Sequence, residues 1–546
     1  MVYQKFKKIN SRVIYFALVI VVMIIIIYHN DSTNLLFQNK INTRIEQYLK
    51  FSPYSKINNA AHFFDVKGKI LSIKHPVDDS NIIDLVIKKK QFSKLTEKNV
   101  KWIDINILIN DTLNPAKLKF HGTSLAHYSD GKFSFRIKMK NKSKFLNNMK
   151  VFNLIKAEEA DPTVISANKF ASKFGLISSY GKMVILNING ENWGAYYLVE
   201  RISKNFLKRK FSISKYAKLS NVSDWSRKEN NFGSNHISDF DLYPGHIESD
   251  NSPNHARALG KYMEMCSYVK QNDAQSLTKL FDVEYMGKYL SIMALFNDVH
   301  HISGDNLKLI YDFKSEKFYP IYRQESGSKP IYNIVQTQDD LFFNNYTNFN
   351  KMIFHKSLPN YLHATNTAIF KTLLSNDSIR NERDRILNQI IKKESNYRSF
   401  FKDVYEENLP ILYASNLSRR SQHFNEKQQL EVFSKMCGFA KKYLNYGHVY
   451  GSFNISDSTL NIITDAFCQV RISSKENQFK DYLTNGIKFD RGLDIYYNYT
   501  KIPFKGKNWK IEDLIFINSI TNDTIKRIYI NELFEDKFEH TFYNIK

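Results

Sequence analysis

Asp298, His300, Asn306, Gln324 and Glu325 fall in one window of the chain, Ala294–Ser326, in an order that suits phosphoryl transfer. Asp298 ends an apolar stretch that reads as a helix. Asn306 follows eight residues later and opens a strand over Leu307–Tyr311. A turn at Lys314–Lys317 and a second strand, Phe318–Arg323, lead to the polar pair Gln324-Glu325. A carboxylate at the first position can take the proton of an acceptor hydroxyl, and an Asn carbonyl can hold a metal ion. A second acid at the end of the hairpin would complete a metal–phosphate site, because the two strand ends meet at one edge. The residue at that place is Gln324, whose oxygen carries no charge, whereas Mg²⁺ prefers carboxylate. Glu325 is adjacent, but a one-residue step turns a strand side chain to the other face. Only a bulge or turn at Gln324 would let Glu325 take over. His300 and His301 are neighbours, and adjacent histidines make a poor metal site without further ligands.

Two upstream stretches add charge of the right kind. Gly122–Lys138 is a turn rich in small residues that runs into KFSFRIK, where Lys132, Arg136 and Lys138 are cations. Arg136 and Lys138 are two apart and share a strand face with Ser134. Cations there can neutralise phosphates; the plainer alternative is a solvated edge strand. Ile185–Arg201 contains the turn signal Asn189-Gly190 and an apolar strand ending on Glu200. Glu200 could bind a nucleotide or pair with one of the upstream cations. Alternatively it is the acid ahead of a helix over Ser203–Lys208.

The elements that must position these residues follow from periodicity. Alternating segments at KILSI, IIDLVIKK, VKWIDINILI and AKLKF within 62–120 predict strands, as does 132–140. Pro162–Phe174 has helical spacing and stops at Gly175. Met183–Asn187 and Gly194–Val199 form a predicted hairpin. Helices are expected over Ala256–Tyr268, Leu277–Phe281, Tyr285–Leu295, Ser378–Glu406 and Ser415–Tyr443. After Gly447 short strands return: HVYGSFNI, TLNIIT, CQVRIS, DIYYNY and KRIYINEL. The expected class is α+β: a β-rich lobe, a helical lobe, and a small C-terminal β domain.

A chain of 546 residues is too long for one core. The net charge of +24 comes from scattered lysines, with no basic cluster and no nucleic-acid motif. No nucleic-acid partner is expected; an anionic substrate or envelope polymer fits better. Cys266, Cys437 and Cys468 show neither metal-ligand spacing nor a disulfide framework, and are expected to be buried thiols. Val13–Tyr28 is an uncharged apolar run preceded by Lys5, Lys7, Lys8 and Arg12. This predicts a single-pass anchor with the N-terminus in the cytoplasm and the body outside. A cleaved signal peptide is the rival, although the YHNDSTN that follows offers no convincing cleavage site. The expected organisation is an anchor (1–30), a juxtamembrane stalk (31–61) with a short helix near Asn42–Leu49, the main domain (62–445) and the β-rich tail (446–546).

Taken together, GTSLAHYSDGKFSFRIK, NMKVFNL, FGLIS, NINGENWGAYYLVER, DVHHISGDNLKLIYD and FYPI resemble the bacterial spore-coat protein H (CotH) kinase-like family of atypical protein kinases. The resemblance covers about Lys117 to Gly327. It implies an atypical kinase-like two-lobe fold with ATP and Mg²⁺ (or Mn²⁺) between the lobes, and a protein or envelope acceptor. Lys132 and Arg136 match the basic positions of the family's KxSxR strand. Glu200 matches the acid of its (G)xYxLxE run, and Asp298, His300 and Asn306 its DxHxxxxxN loop. Relatives carry Asp where the PIxxD motif here ends on Gln324, and the Gly-Asp-Trp common upstream is Gly-Thr-Ser. Two readings follow: an extracytoplasmic kinase, or a degenerate kinase fold serving as a binding or assembly protein of the envelope. The aromatic content and β tail would also suit an envelope-polysaccharide binder, although aromatics mostly fill cores.

Overall fold

The computed structural model describes residues 81–92, 102–109, 112–122, 127, 133–141, 148–157, 160, 162–220, 253–296, 307–324, 369–370, 372–414, 426–454, 458–464, 466, 468–475, 481–490, 495–503, 514–526 and 528–530. The expected anchor Val13–Tyr28, the stalk helix and the KILSI strand lie outside these residues. Among the described residues, no helix is long and apolar enough to cross a membrane.

The alternating segments close into a barrel. Its strands are β1 (Ile82–Val86), β2 (Ile103–Ile109), β3 (Thr112–Phe120), β4 (Phe135–Met139), β5 (Val151–Lys156), β6 (Lys182–Ile188) and β7 (Glu191–Glu200). The order is β1-β2-β3-β4-β5-β7-β6, closed by parallel pairing of β1 with β6. Every second residue points inward: Ile103, Ile105 and Ile107 on β2, Phe135, Ile137 and Met139 on β4, Phe152 and Leu154 on β5. The predicted Asn-Gly turn joins β6 to β7, with Asn189 at φ 53° and Gly190 at φ 83°. The Asn189 side chain also fastens the closure: its Oδ1 accepts from Ile87 N at 2.8 Å, and its Nδ2 donates to Ile87 O at 2.8 Å. A short helix, α1 (Lys89–Phe92), follows β1.

Helix α2 (Pro162–Lys173) packs on the outer face of β5, β6 and β7, with Val164, Ala167 and Phe170 in one core with Met183, Ile185, Tyr197 and Val199. Pro162 suits a first helical position. The helix ends in a Schellman motif at Gly175 (φ 81°), where Leu176 N donates to Ala171 O and Gly175 N to Ser172 O. Helix α3 (Lys204–Phe211) is capped by Ser203.

The expected hairpin forms as β9 (Lys308–Asp312) and β10 (Lys317–Pro320). A strand missed in the sequence, β8 (Tyr216–Ser220), completes a sheet of order β10-β9-β8. Around it lie α4 (Pro253–Lys270), α5 (Ala274–Lys279), α6 (Val283–Leu295), α7 (Asp377–Lys392), α8 (Glu394–Ala414) and α9 (Glu426–Leu444). The single helix expected over Ser378–Glu406 is two helices, broken at Lys393, where the backbone leaves helical geometry at φ −113°, ψ 23°. Helix α6 lies close to α7 at Gly287: a Cβ there would meet Glu382 Cγ at 2.4 Å. Ser291 Oγ donates to Gly287 O and Arg383 O in the same crossing.

The tail builds β11 (Val449–Asn454), β12 (Thr459–Thr464), β13 (Val470–Ser474), β14 (Tyr482–Leu483), β15 (Asn485–Asp490), β16 (Ile495–Pro503), β17 (Leu514–Asn518) and β18 (Ile528–Ile530). They form two sheets, β15-β16-β12-β11-β18 and β14-β13-β17, with an apolar cluster of their own. Polar links tie this tail to α7 and α9. Asn381 Nδ2 donates to Gln469 Oε1, Asn388 Nδ2 to Ile520 O at 2.8 Å, and Asn518 Nδ2 to Leu444 O. The three cysteines are free and buried. Burial pushes each thiol pKa up, that of Cys266 to about 12, so all three stay protonated. Cys468 packs in this joint and donates to Asp384 Oδ2 at 3.7 Å.

Asp384 is fully buried and salt-bridged to Arg383, whose guanidinium also donates to the Tyr443 hydroxyl on α9. Removing one charge of such a pair strands the other in a dry site. Arg383→Met should lower unfolding stability by about 3–5 kcal/mol, and Arg383→Met/Asp384→Leu by clearly less. Urea denaturation of both variants checks the order.

Candidate functional site

Arg136 sits on the outer face of β4, opposite Lys119 of β3 and Asn153 of β5. Its guanidinium is fixed at two points. Nε donates to Asn153 Oδ1 at 3.0 Å, and Nη2 lies 2.9 Å from His121 Nδ1. A guanidinium has only donors, so Nδ1 must accept, which puts the proton of the neutral ring on Nε2. His127 stacks near His121 at 5.5 Å between ring centroids, and its Nδ1 lies 3.0 Å from Ser134 Oγ. Gly122 makes this approach possible. It has φ 95°, and a Cβ on it would fall 1.9 Å from the His127 ring.

The hairpin brings its own cations to this place. Lys308 opens β9, and Ile321 N donates to Lys308 O, which carries Arg323 alongside. Burial and the positive charges of Arg136, Arg323 and Lys308 hold His121 well below the ordinary imidazole range. Burial, Lys156 and Arg323 bring His127 down to about 4. Every charged group of the described residues that acts on these rings is cationic. Lys119 is lowered by burial and by Arg136 and Arg201. Cations of β3, β4 and the hairpin therefore converge on one spot. Guanidinium and ammonium groups are the donors that suit phosphate and other multiply charged anions.

Gln324 ends this hairpin and is almost wholly buried. Its backbone is gripped by Asn168 of α2: Gln324 N donates to Asn168 Oδ1 at 2.9 Å, and Asn168 Nδ2 donates to Gln324 O at 3.1 Å. Its side-chain Oε1 accepts from the Tyr322 hydroxyl at 3.1 Å. The residue at the expected acid position is thus a buried neutral amide. No group of three or more potential His, Cys, Asp or Glu metal ligands occurs among the described residues.

Glu200 ends β7 and is buried, with Phe152 as its ladder partner. It does not pair with the cations of β4. Its Oε2 accepts from Arg209 in the last turn of α3, and its Oε1 is buried without a hydrogen-bond partner. Burial raises the Glu200 carboxyl above the usual range, against the pull of Arg209. An orphan carboxylate oxygen at this strand end can accept from a ligand's N–H. Lys138 shares the face of Arg136 but is exposed, beside Lys117 and Val151. Lys132, Asp298, His300, Asn306 and Glu325 lie outside the described residues. The structure therefore brings Arg136 and the hairpin end together and leaves Glu200 in a separate pairing with α3.

Sequence reasoning missed His121, His127, Asn168, Lys308 and Arg323. His121 directly precedes the singled-out turn and Arg323 directly precedes Gln324, so position alone could have flagged both. Nothing local marked Asn168, since its partner is 156 residues away.

The barrel, the hairpin and the helices around it suit a kinase-like fold. The family model for CotH kinase protein matches residues 118–445, more than half of the chain. The chain belongs to the CotH kinase family. No curated protein matches it.

The histidines give the site a signature in solution. His127 titrates near 6.5 when unfolded and near 4 when folded, so between these values the unfolded chain binds more protons. Stability is then complete above about pH 6.5 and falls as pH drops toward 4, with His121 acting in the same direction. His127→Gln should lose less Tm than the wild type between pH 7 and pH 5, as followed by thermal melts in matched buffers.

Proposed function

We propose that this chain is an extracytoplasmic CotH-type kinase that takes ATP between a barrel lobe and a helical lobe and transfers phosphate to a protein or envelope acceptor. The observation that carries this reading is Arg136, locked by Asn153 and His121, with Arg323 and Lys308 reaching the same spot from the hairpin. The nucleotide fits these residues: the cations suit its phosphates, and the orphan Oε1 of Glu200 suits the N–H edge of a base. Lys132 and Lys138 extend the positive strand. Asp298 takes the acceptor proton, with His300 supporting the loop. Transfer of this kind rests on positioning and charge neutralisation.

The transfer chemistry would call on a divalent Mg²⁺ or Mn²⁺ for added positive charge at the phosphates. The described part of its site fits poorly, because Gln324 offers a neutral oxygen already engaged by Tyr322. Asn306 and Glu325 are left as its holders. The run Val13–Tyr28 would tether the body to the membrane, and the net charge of +24 suits an anionic envelope acceptor.

Gln324 favours a second reading, a kinase fold that binds nucleotide and serves in assembly of the envelope without transfer. Labelled ATP separates the two. Incubation of the full chain with γ-labelled ATP and Mg²⁺ or Mn²⁺ should label the chain or an added acceptor protein, and Asp298→Ala should abolish labelling. ATP binding without label under either metal would establish the second reading.

A further inference from the structure

We propose that the outer face of β3 and β4 docks a flexible phosphodiester polymer, held by Lys117, Lys119 and Lys138. The inference rests on the anionic-acceptor reading above and names the face that meets the polymer.

The first observation is where the cations stand. The inward positions of the two strands are apolar: Ala116, Leu118 and Phe120 on β3, and Phe135, Ile137 and Met139 on β4. The outward positions between them are Lys117, Lys119, Arg136 and Lys138. In the ladder Lys117 stands opposite Lys138, and Lys119 opposite Arg136. Two like-charged pairs thus follow one another, about 5 Å apart across the strands and about 7 Å along them. Like charges directly opposite destabilise a sheet. Any neutral polar residue would keep the alternation, so the fold itself gains nothing from a second cation in each pair.

The second observation is the shortage of acid. Asp104 is the one carboxylate on β2, β3 and β4. It is the ladder partner of Lys117, and its Oδ1 bridges Lys140 at 3.0 Å. Lys138 has no carboxylate partner among the described residues. Arg136 is already bonded to Asn153 and His121, so the three lysines carry the binding. Lys119 Nζ lies 5.1 Å from the ring centroid of Trp102, an exposed aromatic beside the same cations.

The third observation is exposure. Lys117, Lys138 and Lys140 are exposed, while α2 and α8 pack elsewhere on the barrel, against β6 and β7. An exposed ammonium gains little from a single anion, because water and salt screen the pair. A chain carrying many phosphates makes several such contacts at once and releases its counterions. Ammonium groups take phosphate as point charges, and a flexible chain can follow the twist of the strands. The face therefore selects a polymer over a small anion.

The test is binding of poly(glycerol phosphate) to the full chain by equilibrium titration between about 50 and 200 mM salt. Glycerol 3-phosphate, duplex DNA and phosphatidylglycerol vesicles are run beside it. Polymer affinity should fall by about tenfold or more over this range, and the monomer should not bind. Lys117→Gln and Lys138→Gln should each flatten the log–log salt slope by about 0.7. Lys138→Gln should do so with no loss of Tm, because it removes one member of a like-charged pair. Lys402→Gln, an exposed change on α8, should leave the slope unchanged. A slope untouched by both β3–β4 variants overturns the inference, as does tighter binding to DNA or vesicles. If ATP labels the polymer while both variants bind it as the wild type does, the anionic-acceptor reading stands and the face is wrong. Absence of both polymer binding and polymer label overturns that reading and the inference with it.

Discussion

The Asn168 side chain is the joint on which the site depends. Its amide is buried at 2% exposure and every hydrogen-bonding position is filled. Nδ2 donates to Val164 O and Gln324 O, and Oδ1 accepts from Gln324 N and Ser178 Oγ. One residue thus ties the helix that packs on the barrel to the end of the hairpin and to the segment leaving that helix. The same region is stitched again by Ile177, whose N donates to Tyr285 Oη and whose O accepts from Tyr322 N. Tyr285 in turn donates to Pro320 O. Buried polar networks are costly when incomplete and rigid when complete. This one is complete at Asn168, so the hairpin end is positioned relative to the barrel without help from a ligand.

That rigidity lets like charges be held together. Arg136, Lys308 and Arg323 would spread apart on a flexible surface. Here Arg136 is pinned by Asn153 and His121, and the Lys308 main chain is held by the bond from Ile321 N to Lys308 O. Burial first, and the neighbouring positive charges after it, lower the pKa of both imidazoles. Gly122 belongs to the same arrangement, since any side chain there would displace His127.

Local pattern made most of this fold legible. Alternation announced β1 to β4, and the Asn189-Gly190 pair announced the β6–β7 hairpin. Pro162 and Gly175 bracketed α2 to within a residue or two. Two kinds of feature were hidden. Barrel closure pairs β1 with β6 and is fastened by Asn189 reaching Ile87 from 102 residues away, and no periodicity encodes such contacts. β8, only five residues long, is a strand because β9 lies beside it. The split at Lys393 was hidden because apolar spacing runs on through it. In the site, residue types with known chemistry were found, including Arg136, Gln324 and Glu200. Their true partners were not, because Asn153, Asn168 and Arg209 are ordinary polar residues whose roles exist only after folding.

Gln324 shows how a change at one position can alter what a neighbouring charge does. An ionised Asp at this place, beside Arg323 and near Lys308, would draw their charge onto itself and weaken their effect on His121. The Gln324 amide, one methylene longer than Asp, accepts from Tyr322 through its oxygen, and Asn168 grips its main chain. The packing therefore tolerates the loss of the carboxylate, while the field does not stay the same. Burial, together with the charges of Arg136, Arg323 and Lys308, holds His121 below the ordinary imidazole range beside this amide. The family's scaffold is thus retained with an amide at the hairpin end, held there by Asn168 and Tyr322.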